Sequence, residues 1–190
     1  MVKYSVKNET EIKVMITKQE CERLFAKAHE IYKQVNHYYR INDDLTVRIR
    51  IIGTKYFLQY KKDARDLKLE GVKNKIEYSY DLSESDYLCI RNDPHVLTNY
   101  INTTTCGHCE PIYLGMLETL RGNVMLHDEM PDAEIDMSTY NGEVDYELEW
   151  EINENLYNKA VQILEDIGIS TRNREKGISK CKRFIASLNK

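Results

Sequence analysis

The chain has 190 residues, 42% hydrophobic and 31% charged, with 14 tyrosines; it is long enough for a sizeable core and too apolar for intrinsic disorder. Eight glycines and three prolines exclude collagen-like and low-complexity classes. Twenty-seven Lys and Arg against 31 Asp and Glu give a net charge of −4, which argues against a dedicated nucleic-acid binder but leaves room for a local basic site.

The length predicts one domain, or at most two small ones. No stretch approaches the roughly 18 apolar residues of a membrane span. Residues 1–11 lack the apolar core of a secretory signal. Five cysteines cannot all pair within one chain, so reduced thiols and a cytoplasmic setting are expected.

The first alternating run is Glu9 to Ile16. Thr10, Ile12, Val14 and Ile16 fall on one face of a strand, and Glu9, Glu11 and Lys13 on the other. Thr17 and Glu20 form a capping-box pattern, and Leu24, Phe25, Ala28, Ile31 and Tyr32 follow at helical spacing, predicting a helix over about 18–33. Thr46 to Ile51 and Tyr56 to Lys61 read as a hairpin turning at Gly53. Lys75 to Leu82 alternates as cleanly. Ser83 is placed to cap a short helix, and Pro94 to start another. Strands return over 117–126, 134–137 and 144–152. An amphipathic helix is expected over about 154–167, with Gly168 at its stop position, and a basic terminal helix over about 179–188.

The polar faces of these strands carry the functional information. Glu9, Glu11 and Lys13 share one strand, Arg48 and Arg50 another, Gln59 and Lys61 a third, and Glu147, Glu149 and Glu151 a fifth; Glu77 sits on the fourth. Two arrangements fit. A sheet can bury its apolar face under helices and show its charged face to water. Alternatively it closes on itself, and the charges face a lumen where like charges need neutralising. A divalent cation answers the acidic strands, and a polyanion the basic ones, since Arg suits bidentate contact with phosphate.

The order of these segments resembles the CYTH superfamily of triphosphate tunnel metalloenzymes. Glu9-x-Glu11-x-Lys13 resembles its ExExK signature. Gln34-Val35-Asn36-His37-Tyr38-Tyr39, Arg48-Ile49-Arg50, Leu58-Gln59-Tyr60-Lys61, Ile135-Asp136, Tyr140 with Gly142, Tyr146-Glu147-Leu148-Glu149, and Lys180 with Arg183-Phe184 resemble the segments that follow, in order over almost the whole chain. The resemblance implies an α+β fold, a closed antiparallel eight-stranded barrel enclosing a tunnel with helices packed outside, formed by a single domain over 1–190. It implies Mg²⁺ or Mn²⁺ held by Glu9, Glu11, Asp136, Glu147 and Glu149. It implies a triphosphate held by Lys13, Arg48, Arg50, Lys61, Arg121 and Lys180. Lys13, Tyr38 and Lys61 are then the catalytic candidates, Tyr38 acting with Lys61 on the leaving group as in thiamine-triphosphatase relatives. Glu77 is expected to line the tunnel, and Glu151 extends the acidic strand. Arg40 stands where the family often has Asp.

The function so implied is metal-dependent hydrolysis of a triphosphate, with inorganic triphosphate favoured because no base-recognition motif is visible. Thiamine triphosphatase, class IV adenylyl cyclase and a non-catalytic polyphosphate- or nucleotide-binding module are the alternatives. The expected partner is a small molecule, with no nucleic acid and no membrane, and with a homodimer left open. Cys106-Gly107-His108-Cys109 lacks a second CxxC and reads as a loop with two unpaired thiols rather than a zinc site. Tyr78, Tyr80, Tyr146 and Trp150 read as core packing.

Overall fold

A computed structural model describes residues 2–6, 10–42, 45–63, 75–101, 110–171 and 178–188. In chain order the elements are β1 (Val2–Val6), β2 (Thr10–Met15), α1 (Lys18–Phe25), β3 (Glu30–Arg40), β4 (Thr46–Ile52), β5 (Lys55–Asp63) and β6 (Lys75–Leu82). They continue with α2 (Glu84–Asn92), a 3-10 turn (Pro94–Asn99), β7 (Ile112–Val124), β8 (Ala133–Tyr140), β9 (Glu143–Ile152), a 3-10 turn (Glu154–Leu156), α3 (Tyr157–Asp166) and α4 (Lys180–Ser187).

The chain divides into two compact units. One comprises Met1–Asn8 with Gln34–Leu117, the other Glu9–Lys33 with Glu118–Lys190, so the boundary falls inside β3 and inside β7. In the first unit the hydrogen-bonded order is β1-β6-β5-β4-β3, and in the second β7-β8-β9-β2, with antiparallel pairing throughout. The antiparallel sheet with helices matches the expected class. Nine strands are present among the described residues rather than eight; β1 precedes the first alternating run that the sequence reveals.

In the second unit, Ile12, Val14 and Ile16 on β2 and just beyond it, and Leu148, Trp150 and Ile152 on β9, form one core with Cys21 and Leu24 of α1 and Ala160 and Leu164 of α3. Each large side chain so buried contributes about 1.5–3 kcal/mol. Trp150 keeps its indole N–H satisfied by donating to the Pro131 carbonyl at 2.8 Å. In the first unit, Val47, Ile49, Leu58 and Tyr60 pack with Ile90 of α2 and Leu97 of the 3-10 turn. Tyr78 stacks on Tyr60 at 4.9 Å between ring centroids, as core packing predicts. Because successive strand residues alternate in direction, each buried apolar row commits the charged residues between to the other face.

Helix ends follow their capping chemistry. Thr17 Oγ1 accepts from the Glu20 N–H at 3.2 Å while Glu20 accepts from the Thr17 N–H at 2.7 Å. Ser83 and Asp86 repeat the device on α2. Past α3, Gly168 takes a positive φ of 79°, and the N–H of Ile169 donates to the Leu164 carbonyl at 2.7 Å, closing the helix with the expected left-handed stop.

The expected helix over about 18–33 is corrected: α1 ends at Phe25, and Ile31 and Tyr32 belong to β3. The chain leaves the helix at Ala26–Ala28, and the N–H of His29 donates to the Asn123 carbonyl at 3.1 Å, turning the backbone into the sheet. Strand pairing then satisfies backbone groups that a longer helix would satisfy internally, and tertiary pairing overrides the local period. The later helix likewise begins as a 3-10 turn, with α3 proper starting at Tyr157. No helix among the described residues is long and apolar enough to cross a membrane.

Candidate functional site

Each unit carries a charged cluster on the face opposite its core. In the second unit, Lys13 on β2 lies opposite Glu149 on β9, and Glu147 lies opposite Asp136 on β8. The Lys13 ammonium meets Glu149 directly, and Glu147 Oε1 and Glu11 Oε1 each at 3.4 Å. Lys180, at the start of α4, reaches Asp136 Oδ2 at 2.7 Å, Glu149 Oε1 at 3.0 Å and Glu147 Oε1 at 3.1 Å. Arg121 on β7 grips Asp136 with two bonds, Nε to Oδ1 at 2.8 Å and Nη2 to Oδ2 at 2.6 Å. It also meets Glu134, and Glu149 Oε2 at 3.1 Å. Arg183 on α4 bridges Glu147 and Asp145, the latter at 2.6 Å, and Tyr140 donates its hydroxyl to Asp145.

Asp136 and Glu147 are 0% and 1% exposed, so their charges persist only because cations are built in beside them. Burial alone raises Glu149, but Lys180, Lys13 and Arg121 outweigh it and hold that carboxyl well below the usual range. Asp136 is lowered in the same way, with Lys180 and Arg121 overcoming burial. Glu147 goes the other way: burial, followed by the adjoining Glu149, pushes it up. For Lys180, burial is overcome by Asp136, Glu149 and Glu147, which hold the ammonium above the ordinary lysine range. Lys13, Lys180, Arg121 and Arg183 face Glu11, Glu134, Asp136, Asp145, Glu147 and Glu149. Carboxylates outnumber cations in this cluster.

In the first unit the balance reverses. Arg48 and Arg50 project from β4, Lys61 from β5 and Glu77 from β6. Arg48 donates from Nε to Gln59 Oε1 at 2.9 Å and from Nη2 to Glu77 Oε1 at 3.3 Å. Lys61 reaches Glu77 Oε2 at 3.3 Å, so Glu77 pairs with two cations. Arg50 donates from Nε to Asn36 Oδ1 at 3.0 Å. Tyr38, 3% exposed, lies opposite Arg48 in the β3–β4 register. Among the described side chains, Arg48, Arg50 and Lys61, with the exposed Arg40 and Lys55 on the same strand face, stand against Glu77 and the exposed Asp81, a balance suited to an anion.

The expected site residues therefore fall into two sets. Lys13, Glu11, Asp136, Glu147, Glu149, Arg121 and Lys180 meet in one unit; Arg48, Arg50, Lys61 and Tyr38 share the polar face of the other. Glu9 and the Cys106–Cys109 segment lie outside the described residues. Glu134, Asp145 and Arg183 enter the acidic cluster without having been singled out as site residues. Glu134 was legible as the alternate-position neighbour of Asp136, whereas the pairing of Asp145 with Arg183 depends on where α4 docks.

For a divalent cation, the donor chemistry fits: carboxylate oxygens from neighbouring strands suit a hard ion. The oxygens of Glu147 and Glu149 are engaged by Lys13 and Lys180, and no group of three acidic, His or Cys side chains among the described residues is arranged to hold a metal.

The chain belongs to the CYTH domain family, which it matches over residues 7–185. No curated protein matches it. Among solved structures it is similar to a candidate adenylate cyclase from Bacillus halodurans, at 20% identity and a TM-score of 0.75, covering 95% of this chain and 98% of that one. It is also similar to HpAC1 from Hippeastrum, a candidate adenylyl cyclase with a dominant triphosphatase activity, at 18% identity and a TM-score of 0.69, covering 94% and 95%. PH1819 from Pyrococcus horikoshii matches at 15% identity and a TM-score of 0.56, covering 96% and 99%. At these identities the likeness concerns the fold.

Proposed function

We propose that the protein is a metal-dependent hydrolase of triphosphates, with inorganic triphosphate as its preferred substrate. The observation that carries this reading is the division of charge: among the described residues, carboxylates outnumber cations in one cluster, and cations outnumber carboxylates in the other. Family membership and the triphosphatase activity of HpAC1 support it. Closure of the sheet into a barrel with a tunnel belongs to the same proposal.

In this reading Lys13, Arg48, Arg50, Lys61, Arg121 and Lys180 neutralise the phosphate oxygens. Phosphoryl transfer demands little of a protein beyond positioning and charge stabilisation. Lys61, which is exposed and restrained by Glu77, holds its ammonium proton for the departing phosphate oxygen, with Tyr38 as its partner there. Glu9, Glu11, Asp136, Glu147 and Glu149 are the residues that would hold Mg²⁺ or Mn²⁺. The ion supplies a Lewis acid for the phosphate oxygens. Lys13 and Lys180 pair with Glu147 and Glu149 at this place.

The test is a panel of inorganic triphosphate, pyrophosphate, ATP and thiamine triphosphate with Mg²⁺ or Mn²⁺, assayed for phosphate and cyclic AMP. Pyrophosphate forfeits at least one charge-assisted set of contacts, worth about 1.5–3 kcal/mol, so its kcat/KM is expected to fall roughly ten- to hundredfold below that of triphosphate. Cyclic AMP as the main product replaces the hydrolase reading with a cyclase. Ligand stabilisation without phosphate release replaces it with a binding module.

A further inference from the structure

Arg183 divides the acidic strand β9. Asp145, Glu147 and Glu149 alternate along it, opposite Ser138, Asp136 and Glu134 of β8. Each nitrogen of the Arg183 guanidinium has its own partner. Nε donates to Asp145 Oδ2 at 2.6 Å, Nη1 donates to the Ile178 carbonyl, and Nη2 donates to Glu147 Oε2. Asp145 Oδ2 also accepts from the Tyr140 hydroxyl, so two donors converge on that oxygen. Glu147 Oε1 meets other cations, Lys180 Nζ at 3.1 Å and Lys13 Nζ at 3.4 Å.

The two oxygens of Glu147 are therefore held in different ways. The Lys13 and Lys180 ammonium groups each serve three carboxylates, so either can leave Oε1 and keep two partners. An ammonium is a point charge on a flexible stem, whereas a guanidinium is a planar fork with donors in fixed directions. Arg183 is braced by Asp145 at Nε and by its own chain, five residues back, at Nη1, and those two bonds fix its grip on Oε2. The helix that carries it has further anchors. Phe184 is buried and meets Tyr140 edge-on at 6.2 Å between ring centroids, and Asn141 Nδ2 donates to Ser187 Oγ at 2.8 Å. Shortening the Arg183 side chain thus leaves α4 a seat.

We infer that Arg183 is a positioning residue that sets the choice of cation: by occupying Oε2 it leaves Glu147 a single oxygen for a metal ion, which suits Mg²⁺ and disfavours Ca²⁺. Mg²⁺ demands a tight octahedron, while Ca²⁺ takes about six to eight oxygens and accepts a carboxylate through both of its own. The inference rests on the carboxylate set of the triphosphate reading. Mn²⁺ bound to the purified protein is followed by the EPR signal of the free ion, and Mg²⁺ or Ca²⁺ is titrated against it, so each affinity is read without turnover. In Arg183→Met the ratio of the two affinities is expected to shift about tenfold toward Ca²⁺, as a second oxygen of Glu147 becomes available. The lost positive charge tightens both divalent ions alike and cancels in the ratio. Arg183→Lys keeps the charge without the fork and is expected to shift the ratio in the same direction by less. In a Glu147→Gln background, where the side chain has one oxygen, Arg183→Met is expected to leave the ratio unmoved. An arginine that only clamps α4 predicts a lower melting temperature for Arg183→Met and equal weakening of both ions; that unchanged ratio, with Mn²⁺ still bound by the wild type, overturns this inference alone. A shift that persists in the Glu147→Gln background also overturns it, since the second oxygen is then not its route. Wild-type protein that binds neither Mn²⁺ nor its competitors overturns the carboxylate set as a metal site, and this inference falls with that reading.

Discussion

Asp136 and Glu147 face each other across β8 and β9 and are equally buried, yet their charges sit in different company. Asp136 is lowered, so its ionised form is favoured in the fold; Arg121 and Lys180 depend on it. Glu147 is raised, so its ionised form is held against burial and the adjoining Glu149. Asp136→Asn is therefore expected to cost about 3 kcal/mol or more, as breaking a buried ion pair does. Glu147→Gln is expected to leave stability unchanged or higher while phosphate release collapses. Urea unfolding and turnover measured on both variants check this; equal stability losses would refute the distinction, and Glu147→Gln with wild-type turnover would remove Glu147 from the metal set. His37 gives a separate test. Its ring takes hydrogen bonds from or to Tyr113 at 3.0 Å and Tyr87 at 3.2 Å, with Arg91 at 3.3 Å, and burial followed by the Arg91 charge lowers it from 6.5 to about 4. The unfolded chain therefore takes up this proton before the fold does. The contribution is fully present above pH 6.5 and is lost as pH falls toward 4, at up to about 1.4 kcal/mol per pH unit. Urea midpoints measured from pH 7.5 to 4.5 should fall less steeply in His37→Gln than in wild type.

At the scale of elements, the approach of α1 to β7 depends on the absence of a side chain at Gly122. A Cβ there would meet Phe25 Cε1 at 3.0 Å and Ala28 Cβ at 3.1 Å. The Phe25 ring and Ala28 would have to give by a few tenths of an ångström, so Gly122→Ala is expected to destabilise by about 1–3 kcal/mol. A chemical-denaturation midpoint at the wild-type value would show that α1 gives way freely. The same junction explains why the first helix is shorter than its pattern. Phe25, Ala28, Ile31 and Tyr32 do share helical spacing, but Ile31 and Val35 equally fit a strand. Pairing with neighbouring strands decides between the two, and a local window does not contain that information. The strands themselves were legible wherever apolar and charged residues alternate, as along β2, β6 and β9, because burying one face forces the period.

At the scale of the molecule, a ligand that binds only the folded chain stabilises it by mass action. Inorganic triphosphate with Mg²⁺ at about 100 times its Kd is expected to add about 2.7 kcal/mol, a rise of roughly 5–10 °C in melting temperature for a chain of this size. A chelator should remove the metal-dependent part of that shift, and a shift indifferent to both Mg²⁺ and chelator would count against the carboxylate set as its site. The amino-acid order alone determined the strand faces, the capped helix starts, the stop at Gly168, and the identity of the charged residues between the core positions, because each follows from alternation or from contacts within a few residues. It also carried the family resemblance. Only the tertiary structure decided which charges meet: that Glu77 serves Arg48 and Lys61, that Arg121 grips Asp136, that Arg183 spans Asp145 and Glu147, and that neutral amides hold the Nε ends of Arg48 and Arg50. These pairings depend on strand register and helix docking, where one residue of slip turns every side chain to the other face, and no local pattern in the chain records that register.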